Sequence, residues 1–453
     1  MKNREENMHN RQETHAIVIG GGIAGLLTTR VLLKHFDQVT LIERDHYPQE
    51  PVFRPGVPQG RQGHTLLLQG QHIIEALFPG IQEKLIAHGA IDHNYGSGTL
   101  YYYGERCPRL APTIWGQGWN STRLLLEWQI HQELMIYDHL HIMEGFEVVH
   151  LLFDQSKETV CGVQFRERNH NKPEDNILQE LKADLVVDAS GSTSHAPEWL
   201  KDLGYETPQE TEINTHLGYA TRLYEPPGTH QEDWWKFIAI QSTQSKRGGV
   251  LMDVEGGKWL VILAGSQKDY PPTQDTEYLE FAHSLPDQVL YESIKNARPI
   301  SPIYGYRRTA NRMRHFERLK RQPENFIVIG DGVCSFNPIY GQGMTVAALE
   351  AQALDTSLPS WQRKRKGFAH QFQRKIARLL VSPWLLATVA DVPASEKQGV
   401  IAKLSQWYLD RLIMLLPRDP YALRAFLKVL HMVKTPLALA HPRIIAKILL
   451  QKG

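Results

Sequence analysis

Hydrophobic residues near the N-terminus follow a strand–helix–strand pattern. Ala16 to Ile19 is a short continuous apolar run, Ile23 to Lys34 repeats apolar residues at helical spacing, and Gln38 to Ile42 is a second apolar run. A short apolar run bounded by turn residues is typical of a buried parallel strand. The pattern therefore predicts a β-strand, a turn, an α-helix and a second strand, the usual beginning of an α/β domain.

The predicted turn contains glycines whose spacing favours a dinucleotide. Gly20 would permit the tight turn, Gly22 would let backbone amides approach a pyrophosphate, and Gly25 would let the helix lie close to the strand. The helix N-terminus would attract the phosphates. Glu43 follows the second strand, eighteen residues after Gly25, where a carboxylate can accept hydrogen bonds from ribose hydroxyls. We therefore predict an adenine dinucleotide site here rather than a purely structural turn.

A second strand–turn–helix pattern lies about 310 residues further on. Phe326 to Ile329 is an apolar run, Asp331 follows it, and Gly341 to Met344 opens a helix that continues through Glu350. An aspartate at the carboxyl end of a parallel strand could bind a sugar-like chain, such as the ribityl hydroxyls of a flavin. The helix N-terminus would stabilise the pyrimidine edge of a flavin, which becomes anionic on reduction. The alternative is a turn whose aspartate only caps a helix.

Three motifs occur in a fixed order: GGGIAG followed by Glu43, DLVVDASG at 184–191, and GDGVCSFNPIYGQGM at 330–344. Together they resemble the FAD-dependent monooxygenase family typified by para-hydroxybenzoate hydroxylase, and also squalene-epoxidase-like and polyether-type epoxidases. The similarity covers roughly residues 14 to 355. It implies an α/β chain with a glutathione-reductase-type, Rossmann-like FAD domain and a β-rich substrate domain. The FAD contacts that it implies are Gly20, Gly22, Gly25, Glu43, Arg44, Arg123, Asp331, Pro338, Gly341 and Gly343.

The middle motif departs from the family pattern. The family usually has Asp-Gly with a downstream arginine, whereas this chain has Asp188-Ala189-Ser190-Gly191 followed by Ser192. The departure weakens any expectation that this segment handles NADPH as in the aromatic hydroxylases. We also find no second dinucleotide fingerprint. NADPH or NADH would therefore bind transiently as the electron donor, or a partner flavin reductase would supply electrons.

The motifs and the apolar patterning divide the chain into four parts. Short runs of alternating apolar and polar residues near 95–115 and 210–265 predict strands of a half-exposed sheet, which would cover the flavin and form an aromatic-lined substrate pocket. Single aromatic residues there are more often core residues than pocket residues. The expected parts are a flexible tail (1–14), a discontinuous FAD domain (15–95, 120–205 and 301–360), a β-rich substrate domain (96–119 and 206–300), and a basic amphipathic helical segment (361–453).

The long connection from Pro48 to Gly70 is rich in proline, glycine and arginine. Loops of this length inside a compact domain are usually functional or disordered. Arg54, Arg61 and His64 could approach a flavin or its phosphates, and related epoxidase-like sequences contain a similar Pro-Gln-Gly-Arg-x-x-His stretch. The alternative is a solvated surface loop, and both interpretations stay open.

Composition excludes several other classes of protein. The chain has 453 residues, 42% of them hydrophobic, and three cysteines, which are too few for a disulfide framework and favour the reducing cytoplasm. Neither H-E-x-x-H nor paired C-x-x-C is present, so no metal site is predicted, and no G-x-S-x-G suggests a hydrolase.

Charge is distributed unevenly along the chain. Residues 361–453 contain 17 Lys and Arg against 4 Asp and Glu, whereas the remaining residues carry a net charge of −12. Amphipathic helices are predicted at 371–380, 400–416, 421–433 and 441–450. They could lie peripherally on an anionic membrane or dock on the acidic flavin domain, and we favour docking. Nucleic-acid binding is not expected, because the basic positions are not clustered with stacking aromatics.

The resemblance implies a flavin hydroperoxide that oxygenates an apolar aromatic or alkene substrate with O₂, as a hydroxylase or an epoxidase. Such chemistry requires little side-chain catalysis, and no catalytic acid–base pair is identified. The alternative is an FAD-dependent reductase of the geranylgeranyl-reductase type. A flavin halogenase is less favoured because W-x-W-x-I-P is missing. A flavin-binding protein without turnover is the remaining hypothesis.

Overall fold

The computed structural model describes residues 13–168, 177–228, 235–242, 245–338, 341–391 and 400–451. Most of the predicted tail (1–14) lies outside these residues. The described chain is an α/β structure with a parallel sheet, a large mixed sheet and a helical C-terminus. The predicted fold class is confirmed.

A five-stranded parallel sheet forms the centre of the first core. In spatial order its strands are β20 (Phe326–Val328), β11 (Leu185–Asp188), β1 (His15–Ile19), β2 (Gln38–Glu43) and β7 (Leu140–Glu144). Ile17 pairs with Val186 on one side and with Thr40 on the other. Because the strands are parallel and in register, the residues that follow β1, β11 and β20 emerge at the same edge of the sheet.

Helices pack on this sheet, and strands β8 (Phe146–Asp154) and β9 (Thr159–Glu167) also contact it through β2 and β11, so that water is excluded from it. The first helix ends two residues before its predicted end, and the helix after the second glycine segment begins at Gly343 and extends well beyond Glu350. The first and the last of these helices pack against each other. In chain order they are α1 (Ile23–Leu32), α2 (Leu68–Leu77), α3 (Ile81–Ala87), α4 (Arg123–Leu134), α5 (Ala196–Asp202) and α8 (Gly343–Arg363).

An eight-stranded mixed sheet forms the second core. Its strands are β17 (Arg298–Pro299), β13 (Gly218–Glu225), β16 (Lys258–Gly265), β15 (Arg247–Val254), β14 (Phe237–Gln241), β4 (Thr99–Tyr103) and β5 (Glu105–Arg106), with β18 (Tyr304–Tyr306) paired to β13. Strand residues alternate between two covered faces: Val261 packs beneath helices α6 (Asp275–His283) and α7 (Val289–Ile294), whereas Leu260 faces Leu68 of α2. The prediction of a half-exposed sheet is therefore wrong, because helices cover the face that was expected to be solvated.

The remaining strands of the described residues form three smaller sheets. They are the antiparallel sheet β8 (Phe146–Asp154), β9 (Thr159–Glu167) and β10 (Gln179–Lys182); the sheet β12 (Glu210–Ile213), β19 (Asn311–Arg314) and β21 (Cys334–Ser335); and the pair β3 (Ile91–Asn94) and β6 (Gln117–Asn120).

The C-terminal helices dock on two different surfaces. They are α9 (Phe368–Asp391), α10 (Val400–Leu415), α11 (Pro420–Leu430) and α12 (Pro442–Leu450). Helix α9 lies on the parallel sheet, where the Gln373 side chain donates to the Val328 carbonyl at 2.9 Å. Helices α10 to α12 share a hydrophobic cluster with Tyr101 and Tyr103 of β4. Docking on the predicted flavin domain thus describes α9, whereas helices α10 to α12 pack mainly on the mixed sheet. They also reach α2 through His431, whose carbonyl accepts from the Gln69 amide at 3.2 Å.

None of the described helices combines the length and hydropathy that a membrane span requires.

Asp419 joins two of these helices. Its buried carboxylate accepts from the Tyr421 and Ala422 amides at 2.8 and 3.1 Å, which caps α11, and it pairs with Lys447 of α12. Burial opposes ionisation of Asp419, but the hydrogen bonds from Lys447 and the two amides outweigh it and lower the pKa of the carboxyl.

We predict that Asp419→Ala destabilises the chain by about 1–3 kcal/mol, because the cap and a partly buried ion pair are lost together. Asp419→Asn should reduce the stability less, since asparagine also caps helices. A carboxyl whose folded pKa is lowered stabilises the protein above its unfolded pKa and stops doing so as the pH falls through the folded value. The stability difference from Asp419→Asn should therefore shrink in acid. Urea unfolding at pH 7 and below pH 4 measures it, and equal stability of all three proteins at pH 7 would contradict the prediction.

Candidate cofactor site

The first glycine turn is tightly packed on one side and open on the other. Gly20 has φ = +93°, and a Cβ on Gly25 would lie 1.8 Å from the Gly20 carbonyl oxygen, so both positions require glycine. A Cβ on Gly22, by contrast, would meet only Nη2 of Arg123, at 4.0 Å. Gly22 immediately precedes α1, whose N-terminus has no side-chain cap. The open side of the turn therefore presents a helix N-terminus beside an arginine, an arrangement that suits an anion.

Arg123 lies at the start of α4 and faces this opening. Its Nη1 donates to Gln59 at 3.2 Å, and its Nε lies 3.5 Å from Glu127. That Nε is buried and has no hydrogen-bond partner among the described residues. Arg123 lies near both Gly22 and the second glycine segment. Its positive charge favours ionisation of Asp331 in that segment.

The second glycine segment forms a turn beside the first one. Gly330 (φ = +63°) directly follows the parallel-sheet region, and a Cβ on it would lie 2.9 Å from the Ala24 side chain of α1. Asp331 accepts no hydrogen bond from the described residues, and its Oδ1 lies 4.0 Å from the Cβ position of Gly343, at the N-terminus of α8. Burial raises the pKa of Asp331, although Arg123 and Arg312 oppose the shift.

Pro338 and Gly341 close the segment between Asp331 and α8. The Gly341 amide donates to the Pro338 carbonyl at 3.0 Å, and Gly341 has φ = +62°. A Cβ on Gly341 would lie 3.1 Å from the carbonyl oxygen of Thr65. The start of α8 is thus held against the long connection that follows β2.

Glu43 is enclosed by protein groups rather than left open. Its carboxylate accepts from the Gly21 and Asp45 amides and from Nη1 of Arg54, the last two at 3.0 and 3.1 Å. Tyr47 covers the same turn, and its hydroxyl donates to the Gly21 carbonyl at 2.7 Å. Contact of Glu43 with a ribose stays a prediction.

Arg54 is the centre of a buried ionic cluster. Its guanidinium contacts Glu43, Asp45 and Glu127, at 2.7 Å for Glu127, and stacks over the Tyr47 ring at 4.9 Å. Burial opposes its charge, but the carboxylates of Glu127 and Glu43 raise the pKa of Arg54 overall. The solvated-loop alternative is therefore wrong for Arg54. Sequence reasoning missed Glu127 as its partner, since 73 residues separate them.

Two other predicted loop residues have contrasting surroundings. Arg61 is exposed and stacks on Phe53 and Tyr304 at 3.9 and 5.2 Å from the ring centroids. His64 lines the same cleft as Arg123 and Met344, and its Nδ1 lies 2.9 Å from the Gln62 carbonyl. Burial, helped by the Arg123 charge, lowers the pKa of His64 to about 3, so the imidazole is neutral at pH 7.

Gln62 attaches this loop to the mixed sheet. Its side chain accepts from the Thr221 hydroxyl at 2.8 Å and donates to the Tyr304 carbonyl at 3.2 Å. A Cβ on the adjacent Gly63 would lie 2.2 Å from Ile262 of β16. Because of these contacts, His64 is fixed at the junction of the two sheets.

The structure brings Gly22, Arg123, Asp331 and Gly343 close together, and Arg123 also lines the adjoining cleft. Arg44, by contrast, is exposed and bonded to the Gly56 carbonyl at 3.2 Å. Several buried polar atoms near this region have no hydrogen-bond partner among the described residues: Trp119 Nε1, Arg123 Nε, Tyr219 Oη and Gln342 Oε1. Buried polar groups normally have partners, so such atoms fit a site that takes a polar ligand. Of the aromatic residues in the substrate-domain segments, Trp119 lines the cleft, Tyr101 and Tyr103 face the C-terminal helices, and Trp234 lies outside the described residues.

Glu350 was missed by the sequence analysis. It lies in α8 with no exposed surface, and its Oε2 accepts from the Gly330 amide. Its Oε1 has no partner among the described residues. Burial raises the pKa of Glu350 to about 8, and the nearby charge of Asp331 adds to this shift. The hydrogen bond from the Gly330 amide acts in the opposite direction. The available signal was an acidic residue within an otherwise apolar stretch of the helix.

We predict that Glu350→Gln keeps the Gly330 contact and costs little at pH 7, where Glu350 is mostly protonated, whereas Glu350→Ala costs about 2–4 kcal/mol. With a folded pKa above the unfolded one, the native state binds more protons between the two values. The wild type should therefore lose stability as the pH rises from 5 to 8, and Glu350→Gln should not. Unfolding curves across that range test this, and parallel pH profiles of the two proteins would rule it out.

No family model matches this chain. Protein Rv3254 of Mycobacterium tuberculosis is 28% identical over 432 residues, which is 91% of this chain and 88% of that protein. Among solved structures, the myxobacterial chondrochloren halogenase CndH superposes with a TM-score of 0.63 at 15% identity, covering 97% of this chain and 96% of the halogenase.

Two further solved structures are similar over most of the chain. PqsL, a probable FAD-dependent monooxygenase from Pseudomonas aeruginosa, gives a TM-score of 0.61 at 13% identity, with 91% and 99% of the two chains covered. A flavoprotein/dehydrogenase from Cytophaga hutchinsonii gives 0.66 at 13% identity, with 96% of each chain covered. The names of these three structures describe different reactions. At these identities the similarity establishes the fold, which this chain shares with flavin-dependent halogenases, monooxygenases and dehydrogenases.

Proposed function

We propose that this protein is an FAD-dependent monooxygenase that uses O₂ to oxygenate a small apolar aromatic or alkene substrate. The observation that carries the proposal is the proximity of Gly22, Arg123, Asp331 and Gly343, which come from three separate parts of the chain, beside the cleft that Arg123 lines. The Nε of Arg123 and the carboxylate of Asp331 both lack a hydrogen-bond partner among the described residues, which fits a ligand with both phosphate and hydroxyl groups. FAD has both.

In this proposal the Gly20–Gly25 turn and the N-terminus of α1 would bind the pyrophosphate, with Arg123 beside them. Asp331 would accept hydrogen bonds from ribityl hydroxyls, and the N-terminus of α8 would stabilise the flavin ring system. When bound, FAD would supply the electron transfer and oxygen activation that amino-acid side chains lack.

The chain's own residues would exclude water and orient the substrate. The mixed sheet contributes Met252 to the cleft, and α8 contributes Met344. His64 is neutral, so within the cleft it would accept a hydrogen bond through Nε2 rather than bind an anion. These features favour an apolar substrate over a charged one.

The electron donor is proposed to be NADPH or NADH, bound transiently, or a separate flavin reductase. Asp188, in the middle motif, is occupied within the structure: it accepts from the Ser190 and Ser194 side chains and from the Ser190 amide. The segment therefore offers no free carboxylate to a nicotinamide cofactor. A cytoplasmic location belongs to the same proposal.

A flavin-dependent halogenase is the second candidate. The similarity in fold to CndH and to the flavin-dependent brominase Bmp2 favours it, although the W-x-W-x-I-P run is missing. An FAD-dependent reductase of the geranylgeranyl-reductase type is the third candidate, and the similarity in fold to a flavoprotein/dehydrogenase supports it.

One experiment separates these candidates. Purified protein loaded with FAD is reduced without oxygen by NADPH, NADH or an added flavin reductase, and is then mixed with oxygen and apolar aromatic or polyene compounds, with and without bromide or chloride. Oxygenated product without halide supports the proposal. Product that carries halogen only would establish the halogenase, and substrate reduction in the absence of oxygen would establish the reductase. Protein whose bound FAD cannot be reduced would leave a flavin-binding role.

We predict that Asp331→Ala weakens FAD binding about tenfold or more, because hydroxyl hydrogen bonds to a partly buried carboxylate are lost. Asp355→Asn is the matched control, since Asp355 also lies in α8, is partly exposed and pairs with Lys34 at 3.0 Å. Titration of apoprotein with FAD, followed by flavin fluorescence, gives both dissociation constants. Equal affinities for the two variants would remove Asp331 from the proposed site.

A further inference from the structure

Helices α10 and α12 are amphipathic and bury only one of their faces. Leu412 and Leu415 of α10 and Ile444 and Ile448 of α12 belong to one hydrophobic cluster with Tyr101 and Tyr103 of the mixed sheet. These contacts fix the two helices on the protein. Their opposite sides point away from it.

Those opposite sides are apolar as well. Leu404, Trp407 and Met414 of α10 are exposed at spacings of three and seven residues, which places them on one stripe of the helix. On α12 the exposed apolar residues are Ile445, Leu449 and Leu450, and the exposed fractions of the whole set range from 36% to 80%. We call these six residues the outward face.

The two helices present the outward face as one surface. Arg411, which lies between Trp407 and Met414 on α10, donates to the carbonyl of Gln451 at the end of α12, at 2.9 Å. The Arg411 guanidinium also lies 6.0 Å from the Trp407 ring centroid. The C-terminal end of α12, which contains Leu449 and Leu450, therefore lies beside the apolar stripe on α10.

Positive charge surrounds this surface. Residues 400–451 contain eight Lys and Arg against two Asp, and one of these, Asp419, is buried against Lys447. Lys403 and Arg443 are exposed and form no ion pair with a described acidic side chain. A clustered apolar surface of this kind usually marks an interaction site.

We propose that the outward face binds the surface of an anionic lipid bilayer. Its apolar side chains would enter the boundary between headgroups and acyl chains, where tryptophan is favoured, and the surrounding cations would contact lipid phosphates. A second copy of the chain fits less well, because a two-fold interface would place the same basic surface against itself. Nucleic acid fits less well too, because the centre of the face is aliphatic.

The test is flotation of the full-length protein with vesicles. One set contains phosphatidylcholine alone, and the other contains phosphatidylcholine mixed with phosphatidylglycerol. The protein should float with the anionic vesicles, remain unbound with the neutral ones, and lose binding as salt is raised.

Two kinds of variant locate the contact. The triple variant Leu404→Ser, Trp407→Ser, Met414→Ser should bind anionic vesicles about tenfold more weakly or worse, because apolar burial is lost. Met135→Ser with Ile136→Ser is the matched control, since these two side chains are 60% and 72% exposed elsewhere on the molecule and should not affect flotation. Lys403→Glu with Arg443→Glu should reduce binding without altering the apolar residues.

Circular dichroism and FAD titration confirm that each variant is folded before flotation is compared. The proposal would be overturned if the wild-type protein did not float, or if it floated equally with neutral vesicles. It would also be overturned if the triple variant floated as well as the wild type. A change in sedimentation mass caused by the triple variant, without any effect on flotation, would assign the face to self-association instead.

Discussion

The register of the parallel sheet is the constraint on which the site depends. Ile19 pairs with Asp188, and Asp188 pairs with Val328, so three strands that are far apart in sequence end at one level. The turns that follow them must then share a small space. Glycine is required because the chain segments approach closely: a Cβ on Gly20 would lie 2.8 Å from the Ala189 carbonyl, and one on Gly330 would lie 2.9 Å from Ala24. Because these glycines have no side chains, the backbone amides of the turns are free to face a single ligand.

The buried charges follow from the same crowding. Glu43 and Asp45 lie at the end of β2, and both are nearly inaccessible to water. Isolated buried carboxylates are costly, and Arg54 offsets that cost by contacting both of them and Glu127. Because Arg54 comes from the long connection after β2, the ionic cluster also fixes the course of that loop. The loop then reaches the mixed sheet through Gln62, which places His64 beside Arg123.

Features set by neighbouring residues could be predicted from the sequence, and features set by distant partners could not. The strands before Gly20 and Gly330 and the helices after them were predicted because apolar runs and glycine turns act locally. The Arg54–Glu127 contact and the Glu350–Gly330 contact were missed, because composition does not indicate which distant residue pairs with a buried charge. The covered faces of the mixed sheet were missed for the same reason: alternation shows that a strand has two sides, but not what lies on each.

The uneven charge of the chain is only partly neutralised by docking. Arg365 pairs with Asp184, which directly precedes β11 of the parallel sheet, at 2.7 Å, and Arg418 pairs with Glu105 of the mixed sheet at 2.6 Å. These contacts hold the helical segment at two places, yet they use a small fraction of its cations. Exposed ion pairs contribute little to stability, so attachment depends mainly on the apolar cluster around Tyr101 and Tyr103. The remaining positive charge is therefore not needed to hold the helices on the protein, and it stays available to a partner outside it.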